Sequence, residues 1–170
     1  ITLYPGISFP STLPRTDFRL FQTNIADSTL VRVEHIWAGP ENDNIGWGVY
    51  DVSDVHYWTV DGVWAANTEL NARVTYHAVD DTELDFDLFG NTEAEAVLVH
   101  RARGTDPWEV YPDQTLFASN LTDGNGYIKI DVLRKGHYAF ANGSTAIGIN
   151  EVLPIASVVH VSPNPASTEL

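Results

Sequence analysis

The stretch Leu30-Val31-Arg32-Val33-Glu34-His35-Ile36-Trp37 decides the fold class. Its side chains alternate with a period of two, which is the spacing of residues on one face of a β-strand. One face is predicted to hold the odd-numbered residues, Val31, Val33, His35 and Trp37. The stretch therefore predicts a strand with a largely apolar inner face, on which His35 is a buried histidine satisfied by a hydrogen bond.

The same period recurs along most of the chain. Further strands are predicted at 56–60, 71–79, 83–88, 97–101, 108–111, 127–131 and 137–141. In 83–88 three acidic residues alternate with three apolar ones, which is typical of a half-buried strand with a solvated face. Asp61-Gly62 is predicted to be a tight hairpin turn. No twelve-residue segment has the apolar spacing of a long helix. Many short strands with frequent turn signals predict an all-β, antiparallel β-sandwich of the immunoglobulin or fibronectin type III kind.

Prolines and the loss of alternation set the predicted boundaries. Residues 1–17 carry three prolines, which predicts an extended lead-in that wraps or links rather than folding alone. Residues 18–142 are predicted to form the sandwich. Residues 143–170 are predicted to be a linker and the start of a further segment.

Composition excludes several functions. The 170 residues contain nine Lys and Arg against 23 Asp and Glu, a formal charge of −14, which disfavours nucleic acid as a partner. Cysteine is absent, so thiol catalysis and disulfides are excluded. No apolar run approaches the roughly 20 residues that span a bilayer, so no membrane insertion is predicted. The first residue is Ile1, and we expect the chain to be a processed piece of a longer protein.

The end of the chain resembles a known targeting segment. The residues Val161-Ser162-Pro163-Asn164-Pro165-Ala166-Ser167 are similar to the opening of the C-terminal sorting domain of the Bacteroidetes type IX secretion system. Serine stands where that family usually has tyrosine, and the similarity covers about ten residues. The resemblance implies a parent protein that is secreted or held at the cell surface.

The body resembles a second family. The segments 30–35, 57–62, 127–128 and 136–138 are similar to the all-β accessory domain that follows the catalytic region in some large secreted zinc aminopeptidase-like proteins. That family's His-Glu-x-x-His motif has no match here, so no catalytic residue carries over. The resemblance implies an accessory role beside a metallopeptidase.

The search for chemistry finds few candidates. None of the six histidines has the i, i+4 partner and glutamate of a helical zinc site, and no Gly-x-Ser-x-Gly elbow occurs. We therefore predict no catalytic residue, no cofactor and no firm metal ligand. Glu41 and Asp43 are weak calcium candidates, because hard cations take carboxylate and carbonyl oxygens.

Aromatic residues suggest a different ligand. Flat indole faces stack on sugar rings, and Trp47, Trp64 and Trp108 lie near predicted loops or strand ends. The sequence accordingly predicts a monomeric, non-catalytic spacer module that contacts neighbouring domains of its parent chain. The alternative is a module that binds polysaccharide or calcium beside a secreted hydrolase.

Overall fold

Two antiparallel sheets pack face to face in the computed structural model, which describes residues 1–6, 10–41 and 44–145. The all-β sandwich predicted from the sequence is thus confirmed. The strands are β1 Thr2–Leu3, β2 Ser11–Thr12, β3 Phe18–Asn24, β4 Thr29–Ile36, β5 Val49–Val52, β6 Tyr57–Val63, β7 Glu69–His77, β8 Ala96–Arg101, β9 Glu109–Val110, β10 Gln114–Ala118, β11 Asn125–Ile130 and β12 Gly136–Gly143. One short helix, α1, covers Phe86–Phe89.

The sheets differ in size. The seven-stranded sheet has the order β1-β4-β6-β12-β8-β9, with β5 also paired to β12. The five-stranded sheet has the order β10-β11-β7-β3-β2. Along the described residues the chain changes sheet six times, at β1/β2, β3/β4, β6/β7, β7/β8, β9/β10 and β11/β12, so residues distant in sequence meet across the core.

Aromatic and aliphatic side chains fill the space between the sheets. Alternate residues of β7 point inward, and its inner positions Leu70, Ala72, Val74 and Tyr76 are buried. The indole of Trp58 lies 5.6 Å from the ring of Phe18 and 5.0 Å from that of Phe140, both in edge contacts. Burial of such rings, at about 25 cal/mol per Å² of apolar surface, is the main source of stability.

The lead-in joins the sandwich. β1 pairs with β4 and β2 pairs with β3, and the amino group of Ile1 donates to the Val31 carbonyl at 2.7 Å. Residues 1–6 and 10–17 therefore add edge strands to both sheets. The segment 146–170, with its Pro-Asn-Pro stretch, lies outside the described residues.

Two local predictions are wrong. Residues 83–88 form a turn and helix α1 rather than a strand. The Asp61-Gly62 pair is not a hairpin turn but continues β6, where it pairs with Arg32 and Val31. Gly62 has a φ of +131°, and a Cβ there would clash with the Leu30 carbonyl oxygen. The glycine is needed for close approach of two strands, not for a turn.

One core prediction also fails. Trp37 lies beyond the end of β4 and its residue is 68% exposed, so it does not share the buried face of that strand. His35 is hydrogen-bonded as expected, but it is half-buried rather than buried.

Candidate functional site

A line of three titratable side chains runs from the surface into the core. His35 Nε2 lies 2.7 Å from His56 Nδ1, and His56 Nε2 lies 2.7 Å from Asp85 Oδ1. His56 and Asp85 are each only 2% exposed. We call His35, His56 and Asp85 the histidine–aspartate line. It joins the end of β4, the start of β6 and the residue before α1.

The chemistry of the carboxylate sets the direction of the hydrogen bonds. The Asp85 carboxylate only accepts, so His56 Nε2 donates to it; in the bond between His35 Nε2 and His56 Nδ1, one ring nitrogen donates and the other accepts. The second oxygen of Asp85 accepts from the backbone N–H of His77 at 2.8 Å. The remaining nitrogen, His35 Nδ1, lies 3.3 Å from the Arg15 carbonyl. A carbonyl oxygen only accepts, so His35 Nδ1 donates to it when this nitrogen carries a proton.

Local turns place the buried aspartate. Asp85 N donates to the His77 carbonyl at 3.1 Å, so the segment returns alongside the end of β7. Asp80 starts the return, since its carboxylate accepts from Thr82 N at 2.9 Å. The Asp85 carbonyl then accepts from Phe89 N at 2.9 Å and begins α1. These bonds hold the Asp85 side chain toward the core.

Indole rings surround the outer histidine. His35 stacks on Trp58 with centroids 4.9 Å apart and 23° between planes, and Trp37 covers it at the same distance. Burial, and then the neighbouring His56, lower the pKa of His35 below the ordinary histidine value. The neutral imidazole is therefore favoured in the folded protein.

The line lacks two parts of a catalytic site. Its outer nitrogen faces a backbone carbonyl, whereas a nucleophilic triad places a hydroxyl or thiol there. His56 is hydrogen-bonded to both other members, so both of its ring nitrogens are already engaged. Within the described residues, no group of three or more His, Asp or Glu side chains is arranged to hold a metal. The hydrogen bonds of the line fasten three parts of the chain together.

A second buried carboxylate is fastened in the same way. Glu93 is fully buried; one oxygen accepts from the Tyr76 hydroxyl at 2.7 Å and the other from the backbone N–H of Gly124. Burial, followed by this bond to Glu93, raises the pKa of Tyr76 well above its usual range. Gly124 has a φ of +69°, and a Cβ there would meet the Ala78 backbone. Glu93 thus attaches the bend at Gly124 to β7.

The candidate calcium loop is tied to a buried tryptophan. The backbone carbonyl of Glu41 accepts from Trp108 Nε1 at 2.9 Å and from Arg101 Nη1 at 3.2 Å. The Arg101 guanidinium stacks over the Trp108 ring at 4.3 Å. The residue Glu41 is exposed, and Asp43 lies outside the described residues, so the calcium prediction remains a prediction.

The three candidate tryptophans have different environments. Trp108 is fully buried, so it presents no face to a ligand, contrary to the sugar-binding prediction. Trp64 is half-buried against the core, with Lys135 Nζ 5.5 Å from its ring centroid. Trp47 is 71% exposed and borders a pocket of about 310 Å³ that is also lined by Glu109 and Gln114. Only Trp47 combines an open indole face with a pocket.

Sequence reasoning did not find His56, Asp85 or Glu93. The alternation of 83–88 places Asp85 on a solvated face with Glu83 and Asp87. A histidine at a strand end was the only available signal for His56. A contact between residues 29 positions apart depends on how the strands are arranged in space, which one sequence does not show.

Comparisons with protein families, curated proteins and solved structures found no match for this chain. The part of the chain described here has no helix of the length and apolar character needed to cross a membrane.

Proposed function

We propose that this sandwich is a non-catalytic accessory module, a stable spacer within a larger exported protein. The observation that carries the proposal is that both oxygens of each buried carboxylate are occupied by donors of the chain itself. Asp85 binds His56 and the His77 backbone, while Glu93 binds Tyr76 and Gly124. A general base needs a free lone pair facing substrate. These carboxylates serve instead to fasten loops.

Two resemblances support the exported setting. The similarity of 161–167 to a sorting-domain opening, and of the body to an aminopeptidase accessory domain, both favour a secreted or surface parent. The acidic surface keeps such a module soluble. We therefore propose neighbouring domains of the parent as its partners.

The test measures enzymatic activity and resistance to proteolysis. The purified chain is assayed with chromogenic aminoacyl anilides, esters and glycosides, and is digested with a broad-specificity protease before and after heating. We expect no turnover and slow digestion of the unheated chain only. Turnover that His35→Gln abolishes while the melting temperature is retained would overturn the spacer proposal.

A second candidate, glycan binding, rests on the Trp47 pocket. An indole that is 71% exposed and stands beside the carboxylate of Glu109 can stack on a sugar ring while the acid accepts a hydroxyl. Trp37 is a matched control, since it is 68% exposed but does not line this pocket. The two tryptophans allow a direct comparison within one chain.

For this candidate, tryptophan fluorescence is titrated with cellohexaose, xylohexaose and laminarihexaose. We expect a saturable shift with one of them that Trp47→Ala removes and Trp37→Ala leaves intact. Equal loss in both variants, or no saturable shift in the unmodified chain, contradicts a glycan site at Trp47.

A further inference from the structure

The outer face of the five-stranded sheet carries a row of cations. In the strand register, Arg73 of β7 lies directly opposite Arg19 of β3 on one side and Lys129 of β11 on the other. The neighbours of these residues along each strand are fully buried, so the three cations share the outer face. Adjacent strands are about 4.8 Å apart. We call Arg19, Arg73 and Lys129 the cation row.

Repulsion between the three cations of the row destabilises the sheet unless other groups compensate it. Like charges directly opposite each other weaken a sheet, and the chain has only nine cations to place against 23 acids. Lys129 is compensated by Asp131 at 2.5 Å. Within the described ranges, no ion pair compensates Arg19 or Arg73, whereas Arg32 and Arg134 each pair with an acid. The Nε of Arg19 is buried and has no hydrogen-bond partner among the described residues.

The guanidinium groups of Arg19 and Arg73 each lie over an aromatic ring. The Arg73 guanidinium lies 4.9 Å from the Tyr127 ring centroid, and that of Arg19 lies 5.5 Å from Phe21. Tyr127 is stacked in turn on Phe117, at 5.0 Å and 11°. Stacking orders a guanidinium while leaving its in-plane N–H fork free to bind a carboxylate with two hydrogen bonds.

A pocket opens beside this pair. It has a volume of about 260 Å³, and its lining includes Arg15, Arg19, Arg73 and His77, together with one carboxylate, Asp17, which lies 3.8 Å from His77 Nε2. Arg15 and Asp17 both adopt left-handed backbone conformations, with φ of 63° and 56°. Such strain in non-glycine residues concentrates at functional sites. Among the charged side chains of the lining, three arginines outnumber one aspartate, in a protein whose net charge is −14.

We infer that the Arg19–Arg73 pair and its pocket form a binding site for the carboxylate of a uronic-acid polysaccharide. Charge complementarity calls for an anion, and the forks of two arginines suit a carboxylate. The location favours a sugar chain over an acidic peptide. A peptide gains its main-chain hydrogen bonds at a sheet edge, whereas the cation row lies on a sheet face that offers side chains only. A polysaccharide has no amide backbone to satisfy, and Thr75 in the same lining can bind its hydroxyl groups.

The site is separate from the Trp47 pocket, which has none of these residues in its lining. The test uses the full chain and polygalacturonate at about 0.15 M salt, where a Debye length of about 8 Å screens the overall repulsion but not direct contacts. Neutral galactan and poly-glutamate are the comparison polymers. Affinity is measured by calorimetry and by retardation in polymer-containing native gels.

We expect the unmodified chain to bind polygalacturonate in preference to both comparison polymers. The double variant Arg19→Gln, Arg73→Gln should lose at least about tenfold in affinity for polygalacturonate. Each substitution removes a charge-assisted hydrogen bond to the ligand carboxylate. The variant Arg73→Lys should also bind more weakly, since lysine keeps the charge but lacks the fork. Arg32→Gln, at an arginine already paired with Glu34, is the matched control and should bind normally. Trp47→Ala should also bind normally, even if the glycan candidate at Trp47 holds.

Several results overturn the inference. These are no binding to polygalacturonate, equal binding of galactan or poly-glutamate, and an equal loss of affinity in Arg32→Gln and the double variant. Unweakened binding by Arg73→Lys, with its melting temperature retained, would also exclude the bidentate contact.

Discussion

Strand β4 and the segment Asp80–Phe89 both reach the core, but by different means. β4 lies between β1 and β6, so its backbone takes part in sheet pairing on both sides. The segment Asp80–Phe89 belongs to neither sheet. It is held by the carboxylate of Asp85 and by the ring of Phe89, which packs 5.2 Å from Tyr76 and 5.6 Å from Phe140.

The two regions differ in the number of hydrogen bonds that attach them to the rest of the fold. A strand distributes its attachment over many backbone hydrogen bonds, each with a net value of about 1 kcal/mol. The segment concentrates its polar attachment in Asp85, which receives a histidine on one oxygen and a backbone N–H on the other. Loss of that one side chain leaves the buried His56 Nε2 and the partly buried His77 N–H without this acceptor. The segment should therefore be more sensitive to a single polar substitution than β4 is to a single apolar one.

The largest expected effect is at Asp85. Asp85→Ala should lower the free energy of unfolding by about 3–5 kcal/mol, because it removes one partner of a buried, hydrogen-bonded pair. Urea denaturation measures the change. The control Asp87→Ala, at an exposed residue of α1, should stay within about 0.5 kcal/mol. A loss of less than about 1 kcal/mol at Asp85 would show that the segment is held mainly by Phe89.

A smaller effect is expected in β4. Val31 is fully buried, so Val31→Ala should cost about 1.5–2.5 kcal/mol from lost burial and the cavity that remains. Val63, which is 72% exposed on the neighbouring β6, provides the control and should tolerate alanine. Urea denaturation of both variants shows which substitution lowers the free energy of unfolding more. A larger loss at Val31 than at Asp85 would reverse the proposed order.

The smallest effect concerns the link between the two regions. The lowered pKa of His35 means that the unfolded chain, with a histidine pKa near 6.5, takes up a proton before the folded chain does. Stability from this residue is complete above pH 6.5 and declines as pH falls toward the lowered folded value. The melting temperature should therefore drop between pH 7.5 and pH 5.5.

His35→Gln isolates that contribution from other histidines with lowered pKa values, such as His100 and His137. The variant should show a shallower fall in melting temperature over the same pH range. Identical pH profiles for the variant and the unmodified chain would remove His35 as a contributor.

The alternation of residues predicted much of this fold and failed where a polar side chain was buried. Residues 30–36 and most of 71–79 are strands as expected, because their inner positions are apolar and their neighbours pair with them. Residues 83–88 have an equally regular pattern. The strand prediction for these residues is wrong because the Asp85 side chain is buried. Its carboxylate accepts hydrogen bonds from His56 and from the backbone N–H of His77.

The candidate sites show the same division. Sequence reasoning identified Trp47 as an accessible aromatic, since its neighbouring glycines indicate a loop. The same reasoning could not separate it from Trp108, which is equally close to turn signals but is fully buried beneath Arg101. Nor could it align Arg19 with Arg73, because they are 54 positions apart, the chain between them passes through the other sheet, and register is a property of strand pairing.

By itself, the sequence determined the fold class and the charge of this protein, because periodicity and composition are local and additive. Tertiary structure alone decided which polar residues are buried together and which cations share a face. A hydrogen-bonded line such as His35, His56 and Asp85 exists only when three separate parts of the chain bring each member within about 3 Å of the next. Such proximity depends on strand order and register, which lie beyond any single stretch of the chain.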